Sequence, residues 1–335
     1  MRHAPRQDPV DGFEMHGIES CRTENALDAT QGPAPCWPAK GTSTMTQLLV
    51  TGATGKVGSQ TLQHLLERGT APSCLRAGVR DPAKAQSLAE AGVEVVRYDH
   101  DEPDTLAAAF DGVDRAFVLV PFVPDFAKLG AQAIEAARAA GAKHIVKLSA
   151  AGADARSDFW LAKNHGQSDE DVANSGLGYT ILRPTFFQDN VLTFSADSLK
   201  SQRTFYGASG DQPVAYISSR DIAAVAAEVL LHPEVHAGMT HDLTGGEALK
   251  NSELAALLGQ VIGEPVTYTD LSLDQYADGA RRNGTPELFV EAFTGLENMK
   301  AQGWAAAVSP HVQQVLGRAP ETYAAFLKRN ATRLR

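Results

Sequence analysis

The 335-residue chain has little cysteine, no long apolar run and no surplus of positive charge. Its three cysteines, Cys21, Cys36 and Cys74, include no Cys-x-x-Cys pair and cannot build a disulfide framework. A reducing cytoplasm is therefore the expected compartment. No stretch approaches the ~20 apolar residues of a membrane span. No N-terminal apolar segment of about 7–15 residues marks a signal peptide. Lys and Arg number 30 against 40 Asp and Glu, a formal net charge of −10. A general binder of nucleic acid or anionic membrane needs basic patches to neutralise phosphate, so neither is an expected partner. Metal-ligand spacing is weak as well. His232, His236 and His241 straddle a helix end, Gly238 and a strand rather than one helix face, so no metal is expected.

What is present is unevenly placed. Residues 1–44 are poor in apolar residues, hold two of the three cysteines and show no helical or strand period. They are expected to be a disordered extension ahead of Met45. From there short β-rich runs alternate with longer amphipathic ones. Strands are expected at 48–51, 74–79, 93–98, 115–120, 143–149 and 179–182. Helices are expected at 57–67, 82–91, 103–110, 126–140 and 168–175. This alternation predicts an α/β fold, a doubly wound parallel sheet with helices on both faces. The pattern changes after residue 184. There is no internal repeat and no Ser/Gly-rich linker, so residues 185–335 are expected to be a mixed α/β, mainly helical region packed on a 45–184 domain.

The strongest local motif runs from Val50 to Gly58, after a strand and into a helix. Glycines at 52, 55 and 58 would make a tight turn, let backbone N–H groups approach a pyrophosphate, and let the helix pack against the sheet. The helix N-terminus adds a dipole that suits an anion. The first spacing is Gly-x-x-Gly rather than Gly-x-Gly, but the strand–loop–helix setting is the one such a motif requires. At the end of the second strand stand Arg80, Asp81 and, a helical turn later, Lys84. A carboxylate about 20 residues past the loop favours NAD, and an arginine there favours the 2′-phosphate of NADP. Arg80 and Lys84 point to NADP(H). Asp81 could itself face the ribose, which leaves NAD(H) open.

Together with three later segments, Gly141–Ala150, Ser175–Pro184 and Ile217–Ala223, these motifs resemble the NmrA-like branch of the atypical short-chain dehydrogenases. The resemblance runs from about Met45 to about residue 330. It implies a Rossmann domain that binds NADP(H), with a small C-terminal region forming one wall of a cleft. Gly52, Thr54, Gly55, Lys56, Val57 and Gly58 would line the pyrophosphate, and Arg80 with Lys84 the 2′-phosphate. Asp99 and His100 would lie near the adenine, Val120 and Pro121 under the ribose, and Ser149 and Ala150 on the nicotinamide side. Arg183, Pro184 and Phe186 would begin the substrate wall. Members reduce quinones, azo and triphenylmethane dyes and iminium groups; others sense the dinucleotide and catalyse nothing. The resemblance thus implies either a reductase of a conjugated small molecule or a redox-sensing regulator, and leaves the oligomeric state open.

No tyrosine after Met45 is followed four residues on by lysine, which speaks against the usual Tyr-x-x-x-Lys proton donor and against alcohol–ketone chemistry by that route. The segment 158–169, expected between the fifth strand and the next helix, offers two substitutes. By comparison with the related isoflavone-reductase branch, His165 falls where that branch has its catalytic lysine, and Lys163 lies two residues earlier. His165 is the better-placed donor because imidazole titrates near neutrality. Hydride transfer to a quinone or a conjugated cation can also do without a strong protein acid, since water can protonate the product. Alignment would then supply much of the catalysis, without flavin or metal. Phe122, Trp160, Phe186 and Phe187 could stack on a flat acceptor.

Overall fold

A computed structural model of the chain describes residues 46–335. The extension expected over residues 1–44 lies outside them. Five βα steps and a sixth strand open the described chain: β1 (Leu48–Thr51), α1 (Lys56–Glu67), β2 (Leu75–Val79), α2 (Gln86–Glu90), β3 (Glu94–Arg97), α3 (Pro103–Phe110), β4 (Arg115–Val118), α4 (Phe126–Ala139), β5 (His144–Leu148), α5 (Trp160–Ala173) and β6 (Gly178–Pro184). Beyond these come α6 (Asn190–Phe194), α7 (Ala196–Gln202), β7 (Thr204–Gly207), α8 (Ser219–Leu231), β8 (Met239–Leu243), α9 (Asn251–Ile262) and β9 (Thr267–Asp270). The chain ends in α10 (Leu273–Arg282), α11 (Glu287–Ala301), α12 (His311–Leu316), α13 (Tyr323–Arg329) and α14 (Ala331–Leu334).

Seven strands form one parallel sheet in the order β3-β2-β1-β4-β5-β6-β8. All four residues of β1 are buried, as expected for a parallel strand covered on both faces. Successive side chains of a strand point to opposite faces, and β1 divides accordingly. Leu48 and Val50 join Leu62 and Leu65 of α1 and Val225 and Leu230 of α8. Leu49 joins Leu106, Phe110, Ile134 and Ile145 on the other face. This is the doubly wound fold that the alternation predicts. The chain returns to the sheet after residue 184, because α8 covers one face and β8 pairs with β6. A third cluster, built around Leu199, Phe205, Leu258, Phe326 and Leu327, holds β7 and β9 to the C-terminal helices.

One difference bears on the site. The helix expected from Ser168 begins eight residues earlier, at Trp160, so the segment expected as a loop is helical from there on. Its buried residues include Leu161, Ser168, Asp169 and Val172, with His165 turned the same way. The spacing is helical, but half of the stripe is polar, and a search for apolar periodicity does not register it. Among the described residues, no helix is long and apolar enough to cross a membrane.

Candidate dinucleotide and substrate site

Every strand from β1 to β6 points the same way, so the loops after β1, β2, β3, β4 and β5 meet at one edge of the sheet. The first is the glycine loop. Gly52 turns the chain at φ +58°, and the Gly55 N–H donates to its carbonyl at 2.9 Å. A Cβ at Gly58 would run into that same carbonyl oxygen, so only glycine lets α1 sit this close to the turn. Gly55 caps α1 without a side-chain acceptor, and the first turn carries no acid. The leading N–H groups and the positive end of the helix dipole therefore remain for an anion. Thr54 and Lys56 are exposed, and Lys56 Nζ donates to Thr193 Oγ1 at 3.1 Å. Val57 and Gly58 are buried; the Val57 side chain packs in the core, so only its backbone can face a ligand.

After β2, Arg80 and Lys84 are exposed. The Asp81 carboxylate accepts from the Ala83 N–H at 3.1 Å and caps the short turn Pro82–Ala85. That bond uses one of the two carboxylate oxygens of Asp81. After β3, Asp99 accepts from Arg97 at 3.2 Å and from the Asp101 N–H at 3.1 Å. His100 has both ring nitrogens buried without a partner, its ring edge-on to Tyr98 with centroids 5.1 Å apart. Burial holds its imidazole below the usual range, despite Asp99 and Asp101 nearby.

After β5, Ser149 continues the sheet through its N–H to the Leu182 carbonyl at 2.8 Å, while its Oγ is buried and unpartnered. Val120, Pro121 and Phe122 border a cavity of about 30 Å³ with Phe126, Lys147, His165 and Ser168. Below it lies a buried ion group. Lys147 Nζ is 2.7 Å from Asp169 Oδ1, with side-chain exposures of 2% and 5%. Arg183 grips the other oxygen, Oδ2, through Nε at 2.9 Å and a terminal nitrogen at 2.8 Å. Burial lowers the Lys147 ammonium, and Asp169 opposes the shift.

This arrangement corrects several expectations. Burial pushes the His165 imidazole down to about 3, with Lys147 and Arg183 adding to the shift and Asp169 opposing it. His165 is therefore neutral near pH 7 and does not titrate there, contrary to the reason for preferring it as a donor. Its ring packs on Phe126 with centroids 4.6 Å apart, and its Nδ1 is buried without a partner. Lys163 lies on the exposed stripe of α5 with Gln167 and Glu170. Two residues along a helix rotate the side chain by about 200°, away from His165. Arg183 is committed to Asp169, and Phe187 packs against the main core while its backbone bridges to Ile217. Both are half-buried. Phe186 lies beneath the Lys300 ammonium, 5.2 Å from its ring centroid.

An aromatic line runs on from the cavity. Phe122 is 39% exposed and meets Trp160 at 5.8 Å and Phe289 at 5.2 Å between ring centroids. Phe289 stacks on Phe293 at 6.3 Å, and Phe293 meets Phe194 at 5.6 Å. Sequence reasoning reached Phe122 and Trp160 but missed Phe289 and Phe293 of α11, as well as Lys147 and Asp169. A lysine inside an otherwise apolar strand was the available signal for the ion pair. Nothing local marks α11.

Residues 52–233 match the family model described as NAD(P)H-binding. The chain belongs to this family. NmrA, a negative transcriptional regulator in complex with NAD, shares the fold, with a TM-score of 0.67 at 16% identity. As a member of the NAD(P)H-binding family, the chain is 37% identical to an NAD(P)H azoreductase of Xenophilus azovorans over 85% of its own length and 98% of that protein's. It is 35% identical to quinone oxidoreductase 2 of Escherichia coli over 72% of its own length and 83% of that protein's. The Citrobacter sp. triphenylmethane reductase complexed with NADP(H) superposes with a TM-score of 0.77 at 29% identity, covering 84% of this chain and 99% of that one.

Proposed function

We propose that the protein is an NADPH-dependent reductase that passes hydride to a flat conjugated acceptor, a quinone or a dye. The observation that carries this reading is the line Phe122–Trp160–Phe289–Phe293, which opens beside the β4 and β5 ends of the sheet. Aromatic rings offer a planar acceptor stacking partners at low conformational cost. The reductase relatives favour the same class.

The residues present fit the cofactor. The glycine cradle and the uncapped start of α1 suit a pyrophosphate held by the backbone of Gly52, Thr54, Gly55, Lys56 and Val57. Arg80 and Lys84 suit a 2′-phosphate. His100, with two orphaned nitrogens, and Asp99 stand where an adenine edge would come, and Val120 and Pro121 where a ribose would pass. Ser149, with a buried unpartnered hydroxyl, and Ala150 would meet the nicotinamide side. Within this reading residues 45–184 hold the dinucleotide. The region from 185 on closes the acceptor side through α11.

When bound, the dinucleotide supplies the hydride. The protein's own part is positioning. The Lys147–Asp169–Arg183 group ties β5, α5 and β6 together under the cavity, and His165 stays neutral above it. At α5 the His165 imidazole is neutral near pH 7, so in this reading water protonates the reduced product. Oxidation of NADPH, followed by its absorbance, against a panel of quinones and azo or triphenylmethane dyes tests the reading. Turnover with at least one class is expected; none with any of them would overturn it. The same lack of an acid also suits a dinucleotide sensor without catalysis. That role predicts unequal affinities for NADP+ and NADPH with no turnover.

A further inference from the structure

A second cavity lies away from the edge just described. It encloses about 430 Å³ between α1, α8 and the segment after α12. α1 contributes His64 and its C-cap Arg68, α8 contributes Arg220 and Asp221, and the last segment contributes Arg318 and Glu321. His64 and Arg68 stand about 12 and 18 Å along the helix axis from Lys56 at the glycine loop. The cavity is thus separate from the pyrophosphate position.

Its charge runs against that of the chain, which is −10 overall. Both acids in the lining are already engaged. Asp221 is 1% exposed; its Oδ2 accepts from Ser218 Oγ at 3.0 Å and from the Glu321 N–H at 2.7 Å, and Arg318 lies 2.8 Å from Oδ1. Glu321 is gripped by both ends of the Arg329 guanidinium at 3.0 and 2.8 Å. Arg68 pairs with Glu228. Arg220 is exposed and pairs with no acid among the described residues. The imidazole of His64 senses the surplus. It is lowered first by burial and further by Arg220 and Arg318, while Glu67 and a bond to the Arg220 carbonyl oppose the shift.

We propose that this cavity binds a small multivalent oxyanion, a phosphate- or carboxylate-bearing molecule, with Arg220 as its anchor and Arg318 beside it. A guanidinium presents two parallel N–H donors that match the oxygens of either group. The volume falls within the roughly 300–1,000 Å³ of small-molecule sites. An isolated basic cavity on an acidic body suits a small anion rather than an extended polyanion, whose neighbouring charges would be repelled.

The test uses the full chain saturated with NADP+, so that the dinucleotide's own anion contacts are filled. Sulfate, standing for the phosphate class, and citrate, standing for carboxylates, are titrated separately by calorimetry at constant ionic strength. Saturable one-site binding of at least one probe is expected. Arg220→Ala should weaken it at least about ten-fold, the scale of one charged hydrogen bond. Arg220→Lys, which keeps the charge but loses the fork, should fall between. The His64 ring resonances, assigned by their loss in His64→Gln, should move along the same saturation curve. No saturable binding of either probe would overturn the proposal. So would equal binding by Arg220→Ala protein that melts at the wild-type temperature, or resonances of His64 that stay still.

Discussion

At the glycine-loop end of the sheet the parts that face a ligand are mostly backbone; at the β5–α5 end they are buried side chains. The first end depends on Gly52 at positive φ, on the close approach of Gly58 and on unclaimed N–H groups at the start of α1. Each requirement is met by residues adjacent in sequence. The second depends on Lys147, Asp169 and Arg183, drawn from three elements, and on Phe289 and Phe293 of a helix more than a hundred residues further on. An anion can be held by local geometry, whereas a buried charge needs partners that only the tertiary fold brings together.

The contrast can be broken most severely at Asp169. Asp169→Ala leaves Lys147 and Arg183 facing each other without a counter-ion, so unfolding free energy should drop by about 3–5 kcal/mol. Denaturant titration measures this, and a change below about 1 kcal/mol would show that the ion group does not hold the acceptor end together. Acid should act on the same end. His165 has a folded pKa of about 3, below its unfolded value, so the unfolded chain takes up a proton that the folded chain refuses. The stability that His165 contributes is therefore present above about pH 6.5 and falls as the pH drops toward 3. The buried His144 and His241, each pushed to about 4, act with the same sign. At pH 4 the loss from His165 alone should be on the order of 3 kcal/mol, and His165→Gln should flatten the slope measured by chemical denaturation.

At the other end Arg80→Asp should weaken NADPH by about 10- to 100-fold, the range of one or two charged hydrogen bonds, while NADH changes little. Parallel losses for both cofactors in a fluorescence titration would remove Arg80 from the 2′-phosphate. The smallest effect sharpens the acceptor end. Phe289→Ala should lower kcat/KM for flat acceptors by about 2- to 10-fold without changing NADPH affinity. A matching fall in NADPH affinity would mean that α11 supports the cofactor rather than the acceptor.

These differences explain how far the sequence could be read. The doubly wound sheet was legible because βα alternation is a local pattern, and the glycine loop because it demands glycine at fixed spacing. Asp81 and Pro82 announced the capped turn that follows β2. His165 was found by position, yet its protonation state was misjudged, since that depends on Phe126 of α4 and Lys147 of β5 closing over it. The start of α5 was missed because its inner stripe carries His, Ser and Asp in place of apolar residues. Arg183 also pairs with an acid 14 residues upstream, and Phe187 packs partly on the main core, contacts that no local pattern announces.

In this reading the acceptor end positions reactants without a proton from His165. The most direct measurement is kcat for NADPH oxidation by a quinone across pH 6 to 8, in the wild type and in His165→Gln. Two flat profiles within about two-fold of each other are expected, because neutral imidazole gives up no proton in this range. A sigmoidal or bell-shaped wild-type profile that disappears in His165→Gln would contradict it and return His165 to the role of proton donor.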